Sequence, residues 1–583
     1  MAWLSLPLFF RPRTLPFVKL AFLAVAAGLL LLGGLLVAGL FSPSLDPYAE
    51  LQHALGAPRQ NVAKLWALAA RADGAGWLAR ITLAEIARQE GDPQTSVALL
   101  TEALALRESA EARKTLARAW EELGRPNEAL AEWKRLLPAE EAVQALVRLE
   151  KDQLAVGQTL IAARAYAQAL LVLSGIPGAE AALLRARALR GLGKDAEAAA
   201  EFARYLKAHP NDPVAQVEYG QALERMGETD RAVAAYRAAG ALGLYRLGLL
   251  LENLGRAEEA LAAYRLSSEP EARWRAARLL EERGRAAEAL PLYRELAQGQ
   301  SRVADDAALR AHLLSARAGD WANATAMKRL LPPAFLLLLG DPVPSLSFAP
   351  DPPPMTPPAV RLAADLVRRF PKEGATWAKI ELDIALRRAS APETLAMAEW
   401  FAQQGAWRQA YALGVRVLPE LPCPRAYRLA YPRAWEESVR KWAEAYGVDP
   451  LLVWAVMREE SGFLPTAVSS ANARGLMQLL PSTARWIAEE KLRIPYRVDL
   501  LFDPDYNIRL GTWYLRHLLD QFRGNVAWAV AAYNAGPGNV RRWTAQGVAQ
   551  DADLPAHLRA VETREYLVKV LNSWLIYREL HGK

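Results

Sequence analysis

The chain has 583 residues, a formal net charge of +7, one cysteine and six histidines. That length exceeds what one hydrophobic core organises, so several domains or a repeat array are expected. Cys423 has no partner for an intramolecular disulfide, and the histidines at 53, 209, 312, 517, 557 and 581 show no ligand spacing. Positive charges alternate with acids along helical stretches, so no metal, no cofactor and no nucleic-acid partner is implied.

Ala, Leu, Arg and Glu are abundant and strand-like alternation is scarce, which predicts an all-α protein. In residues 1–45, Arg11, Arg13 and Lys19 precede an uncharged apolar run of 22 residues from Leu20 to Phe41. At about 1.5 Å per residue such a helix covers roughly the 30 Å of a bilayer core. The expectation is a cytoplasmic N-terminus and a retained inner-membrane anchor. The alternative is a signal peptide cleaved near Val37-Ala38-Gly39, which leaves a secreted periplasmic protein. Either way the rest of the chain lies outside the inner membrane.

Residues 46–340 read as helical repeats, and residues 91–320 within them carry a recurring phrase in which Gly is followed by polar residues, a small Ala and an aromatic. Instances are Leu123-Gly-Arg-Pro-Asn-Glu-Ala-Leu-Ala-Glu-Trp133 and Leu254-Gly-Arg-Ala-Glu-Glu-Ala-Leu-Ala-Ala-Tyr264. Glycines at 91, 124, 157, 193, 227, 255, 284 and 319 are separated by 33, 33, 36, 34, 28, 29 and 35 residues. This spacing resembles that of tetratricopeptide-type helix pairs stacked into an α-superhelix. Each Gly is expected to end a helix, and each aromatic to fill the core between repeats. The alternative is a generic helical bundle with fortuitous glycine spacing. Residues 341–358 hold eight prolines and read as a surface loop, and residues 359–429 resume the helical phrasing.

In residues 430–583, Gly447, Asp449 and Pro450 mark the start of a helix through a turn, an N-cap and a first-position proline. At 100° per residue, Leu452, Val453, Val456 and Met457 fall within about 80° of Glu460, while Arg458 points the other way. A carboxyl among such neighbours either is desolvated, which raises its pKa as a general acid requires, or snorkels to water. Glu459 sits about 100° round the helix from Glu460, solvated or ion-paired.

Five motifs follow in order: Glu460-Ser461, Ser469, Gly475-Leu476-Met477-Gln478, Ala532-Tyr533-Asn534-Ala535-Gly536 and Glu562-Thr563-Arg564. Together they resemble the catalytic domain of soluble lytic transglycosylases, which cleave bacterial peptidoglycan. The resemblance implies a lysozyme-like, goose-type fold and the glycan strands of peptidoglycan as substrate. It implies Glu460 as the catalytic acid and then base, forming 1,6-anhydro ends without consuming water. It implies Ser469, Gln478, Tyr533, Asn534 and Glu562 as substrate-binding or positioning residues. From position alone Ser469 fits a loop cap as well, and Tyr533 a buried aromatic. Gly475 permits close backbone approach, and Met477 reads as core beneath the groove. One departure is Asn472, where the family pattern has Gly; Asn tolerates positive φ, so the turn is expected to survive. Two rival readings are a muramidase that uses water and a non-catalytic scaffold whose repeats recruit cell-wall enzymes as partners.

Overall fold

The computed structural model describes residues 46–545, 548, 551–558 and 560–582. The apolar run Leu20–Phe41, and with it the expected anchor, lies outside the described residues. Among the described residues no helix is long and apolar enough to cross a membrane. The fold is all-α, as the composition predicts. Its only extended pairing among the described residues is the pair of isolated antiparallel bridges Val468↔Arg474 and Arg474↔Leu479.

The chain forms two compact units, one ending at Arg125 and one beginning at Pro126. In the first, helices Pro47–Gly56, Gly74–Gln89, Pro93–Leu106 and Ala110–Glu122 each start on a polar cap. Asp46, Asp73, Asp92 and Ser109 accept hydrogen bonds from the backbone N–H of Tyr48, Gly76, Thr95 and Ala112. Each cap satisfies a donor that the first turn would otherwise leave orphaned.

The second unit opens with helix pairs whose packing explains the repeated phrase. Tyr236 and Tyr264 are fully buried, each ring lying where a Cβ on Gly220 or Gly248 of the preceding helix would come within 2.6 or 2.3 Å. Their hydroxyls donate to Glu224 and Glu252, both at 2.7 Å, and Tyr293 donates likewise to Glu281 at 3.1 Å. These three repeats thus bury an aromatic face without orphaning its hydroxyl. The turn glycines at 91, 124, 193, 227, 255, 284 and 319 all adopt positive φ, as expected of helix-ending residues. Gly157 does not: it lies inside helix Gln153–Ala162 against Leu173, and Arg164, at φ +60°, takes the left-handed turn.

The Pro-rich stretch is held down by side chains beyond it. Arg425 donates to the Pro352 carbonyl at 3.0 Å, its backbone N–H donates to Asp351 at 3.0 Å, and Phe348 packs edge-on against Tyr427. Cys423 is a buried free thiol in that neighbourhood. Within this unit the buried apolar core continues from Tyr236, Trp274 and Tyr293 of the repeats into Trp454, Leu476 and Leu571 of the C-terminal region.

Candidate functional site

The site is built around helix Pro450–Ser461. Asp449 caps it by accepting from the Leu451 N–H at 2.9 Å, Pro450 takes the first position, and Gly462 at φ +53° ends it. Sequence periodicity predicts an apolar stripe, but residues 452–457 are all buried, so the helix is enclosed on nearly every side. Even Arg458, expected on the opposite face, is drawn inside. Its guanidinium lies 4.2 Å from the Tyr431 ring centroid and donates to the Ala430 carbonyl at 3.0 Å. It also pairs with Glu459, which accepts from the Ser573 hydroxyl at 2.6 Å. Glu459 is therefore the ion-paired of its two alternatives and is held away from Glu460.

Glu460 is half-buried near the helix end, and Tyr566 Oη donates to its Oε1 at 2.6 Å. Burial pushes the Glu460 carboxyl up to about 7. The Tyr566 hydrogen bond favours the charged form and works against that shift, while Glu562 and Glu459 add to it by like-charge repulsion. A carboxyl with a pKa near 7 exchanges its proton readily in both directions at neutral pH.

Two helices flank it. Helix Val526–Ala535 is capped by Asn525, which accepts from the Trp528 N–H at 3.2 Å, and delivers Tyr533 and Asn534 at its end. Tyr533 is an electrostatic neighbour of Glu460; its hydroxyl donates to the Met477 carbonyl at 2.9 Å and its ring packs on Tyr514. Asn534 Oδ1 accepts from the Thr563 hydroxyl at 2.7 Å, tying this helix to the C-terminal helix Val561–His581. That last helix presents exposed Glu562 in its first turn and Tyr566 one turn later.

The loop 464–480 joins the site through the Met477 carbonyl that the Tyr533 hydroxyl bonds. Gln478, at φ +47°, donates its amide to the carbonyls of Ala467 at 3.1 Å and Gly475 at 2.8 Å, closing the loop on itself. Exposed Ser469 accepts from the Ala473 N–H at 3.0 Å. Asn472 adopts φ +65°, the turn geometry expected where the family pattern has Gly, and accepts from Arg474 at 3.0 Å. Gly475 admits a close approach, but from the protein: a Cβ there would stand 2.1 Å from the Leu501 carbonyl and 2.3 Å from Asn507 Nδ2. Met477 is fully buried over Gly511.

Glu460, Tyr533 and Glu562 thus come together, with Tyr566 as their unanticipated fourth member. Ser469 and Gln478 lie on the adjoining loop, and the Gln478 amide and the Asn534 carbonyl are engaged within the protein. Tyr566 stands at i+4 from Glu562, on the same helical face, and that spacing is the signal that points to it. Among the described residues no cluster of His, Cys, Asp or Glu suits a metal ion. Replacing Tyr566 by Phe removes a donor to the carboxylate, so the Glu460 pKa rises further and the alkaline limb of activity moves to higher pH. A pH–rate profile of the variant checks this; an unmoved limb would mean that the hydroxyl does not act on Glu460.

Residues 437–554 match the family model of the transglycosylase SLT domain, and residues 81–144, 151–213 and 241–269 match tetratricopeptide-repeat models. The chain is 33% identical over 157 residues to the soluble lytic murein transglycosylase of Escherichia coli K12, a match covering 26% of this chain and 24% of that protein. It is 31% identical over 193 residues to the membrane-bound lytic murein transglycosylase C of Edwardsiella ictaluri, covering 29% of this chain and 52% of that one. The chain therefore spans about a quarter of the first relative and about half of the second. Its fold is similar to that of the 70 kDa soluble lytic transglycosylase of Escherichia coli, with a TM-score of 0.57 at 17% identity over 92% of each chain. At that identity the likeness is one of fold.

Proposed function

We propose that this chain, which carries a transglycosylase SLT domain behind tetratricopeptide-type repeats, is a peptidoglycan lytic transglycosylase. Its reaction is cleavage of the β-1,4 bond after N-acetylmuramic acid to leave a 1,6-anhydro end. The observation that carries the reading is Glu460: a half-buried carboxyl near pKa 7, bonded by Tyr566, with the adjacent Glu459 tied up by Arg458 and Ser573. Hydrolysis with two carboxylates places an acid and a base or nucleophile on opposite sides of the bond. A single titrating carboxyl instead suits sequential proton transfer. Protonated Glu460 gives its proton to the glycosidic oxygen as the C1–O bond breaks. The resulting carboxylate then takes the proton of the C6 hydroxyl as that oxygen bonds C1, which regenerates the acid. No water is consumed, and no group outside the substrate and Glu460 gains or loses a proton overall.

Ser469, Gln478, Tyr533, Asn534 and Glu562 would line or brace the saccharide path around that carboxyl. Exposed Glu562 is free to meet the substrate, whereas Gln478 and Asn534 shape the walls through the contacts they already make. The enzyme would act in the cell envelope, with Leu20–Phe41 as its inner-membrane anchor. Release of a chain starting at Asp46 into the soluble fraction, with the full chain retained in membranes, checks that placement.

Mass spectrometry of muropeptides freed from purified sacculi tests the reaction. Anhydro ends are expected, and reducing ends would replace this mechanism with hydrolysis. Because the first step needs protonated Glu460, the rate is expected to fall as pH rises through about 7; a rate still climbing between pH 7 and 9 would contradict the assignment.

A further inference from the structure

Arg564 is among the largest fully buried side chains of the protein, at 2% exposure. A guanidinium withdrawn from water is tolerated only when its donors are satisfied. Here all three nitrogens find acceptors. Nε donates to Asp306 at 3.0 Å, Nη2 to Glu271 at 3.0 Å and Nη1 to the Leu558 carbonyl at 3.2 Å. The guanidinium carbon also lies 4.1 Å from the centroid of the Trp274 ring. Glu271 and Asp306 belong to the first turns of two repeat helices, Pro270–Glu282 and Ala304–Arg317. The contacts therefore join residues 293 and 258 positions apart in sequence.

Two residues further along the same helix is Tyr566, about 200° round the axis and so on the opposite side. One turn of helix is thus gripped by the repeats on one face and offers its hydroxyl to Glu460 on the other. We propose that Arg564 is a positioning residue: its seat between Glu271 and Asp306 fixes the height at which the Tyr566 hydroxyl meets Glu460, which makes the repeats part of the acid's setting. The inference rests on the acid–base reading of Glu460. Burial of plain apolar side chains would hold the two parts together as firmly, since buried ion pairs are often replaceable without loss of stability. What the fork of an arginine adds is direction, because each donor has one acceptor at one place.

The charged and titratable groups facing Glu460 are Tyr566 and Glu562 from the C-terminal helix, Tyr533 from its neighbour and Glu459 from its own helix. Those facing the Arg564 seat are Glu271, Asp306, the adjacent Asp305, and Arg275, which stands 3.5 Å from Glu271. Arg302 pairs with Glu565 on the exposed side of the same turn.

The test compares Arg564→Lys, Glu271→Gln and Asp306→Asn in the full chain, by the pH profile and steady-state kinetics of muropeptide release. Each is expected to lower kcat about tenfold with KM unchanged, the size of a small misplacement of a catalytic setting. Each should also shift the alkaline limb in the direction of Tyr566→Phe. Combining Arg564→Lys with Tyr566→Phe should add nothing to Tyr566→Phe alone, since both act through one hydrogen bond. Arg302→Ala, which removes the exposed pair on the same turn, should leave the profile unchanged. Should Arg564→Lys fail to fold, the two milder variants are read by the same limb. A wild-type limb in folded variants, or additive losses in the double variant, would overturn the positioning role. Glu460→Gln run in parallel separates the two claims: release without the carboxyl sinks the acid–base reading, whereas silence there with wild-type behaviour at Arg564 sinks only the positioning role.

Discussion

Glu460→Gln is expected to lower muropeptide release by about 10²- to 10⁴-fold, the range general acid–base groups contribute, while making the protein more stable at alkaline pH. The amide keeps the size of the carboxyl and an oxygen to accept from Tyr566, so the surroundings have no reason to rearrange. What disappears is the proton that both steps need. The stability side follows from linkage. The Glu460 pKa is raised from 4.5 to about 7 in the folded protein. The stability associated with its protonated form is fully present below 4.5 and is lost as pH rises through about 7. At 1.36 kcal/mol per pH unit the loss is on the order of 3 kcal/mol. Gln has no such loss. The variant should therefore melt above the wild type at pH 8 and together with it at pH 4, as read by calorimetry. Equal melting at pH 8 would show Glu460 to be an ordinary solvated carboxylate and remove the physical basis for its role as acid.

Features decided by neighbours in the chain were legible in the sequence. The Asp449 cap, the Gly447 turn and seven of the eight turn glycines depend on a few consecutive φ, ψ angles and one side-chain oxygen. Gly157 misleads because glycine serves two ends, a left-handed turn or a close helix contact, and spacing does not distinguish them. Periodicity put Glu460 among apolar residues and Arg458 on the opposite face, without showing that this face is covered too. Amphipathic reasoning assumes one covered face, whereas Tyr431, Tyr411 and the C-terminal helix cover the other. Contacts across long separations are not named by the residues beside them: the i+4 spacing from Glu562 puts Tyr566 on the motif's face, but nothing near it specifies Glu460 as its partner. Tyr566 meets Glu460 from 106 residues away, and Arg564 meets Glu271 from 293. The motif residues Gln478 and Asn534 have side chains able to bind a sugar or to close a loop, and only the fold shows how far they are engaged within it.

Asn507 lies in the helix Pro504–Gln521, which the sequence marks as structural through its Asp503 cap and the core positions Ile508, Leu510 and Leu515. It is fully buried and makes three hydrogen bonds, two to the loop 464–480 and one to Leu501. Its Oδ1 accepts from the Met477 N–H at 2.8 Å, and its Nδ2 donates to the carbonyls of Arg474 at 3.0 Å and Leu501 at 2.9 Å. Leu keeps the branching at Cγ but is bulkier, and it leaves one N–H and two carbonyls without partners in a place water does not reach. At about 1–3 kcal/mol for each orphaned group the loop loses several kcal/mol. The whole protein need not unfold, because the Tyr566 side of the site is built on other helices. The expected result for Asn507→Leu is thus local: amide exchange in residues 464–480 accelerates by at least about a hundredfold, while the helix Pro450–Ser461 keeps its protection. Tyr533 then loses the fixed Met477 carbonyl that its hydroxyl bonds, and activity falls with the wall of the site. Unchanged exchange in that loop would show that the side chain of Gln478, which closes it from the other end, is sufficient to hold it.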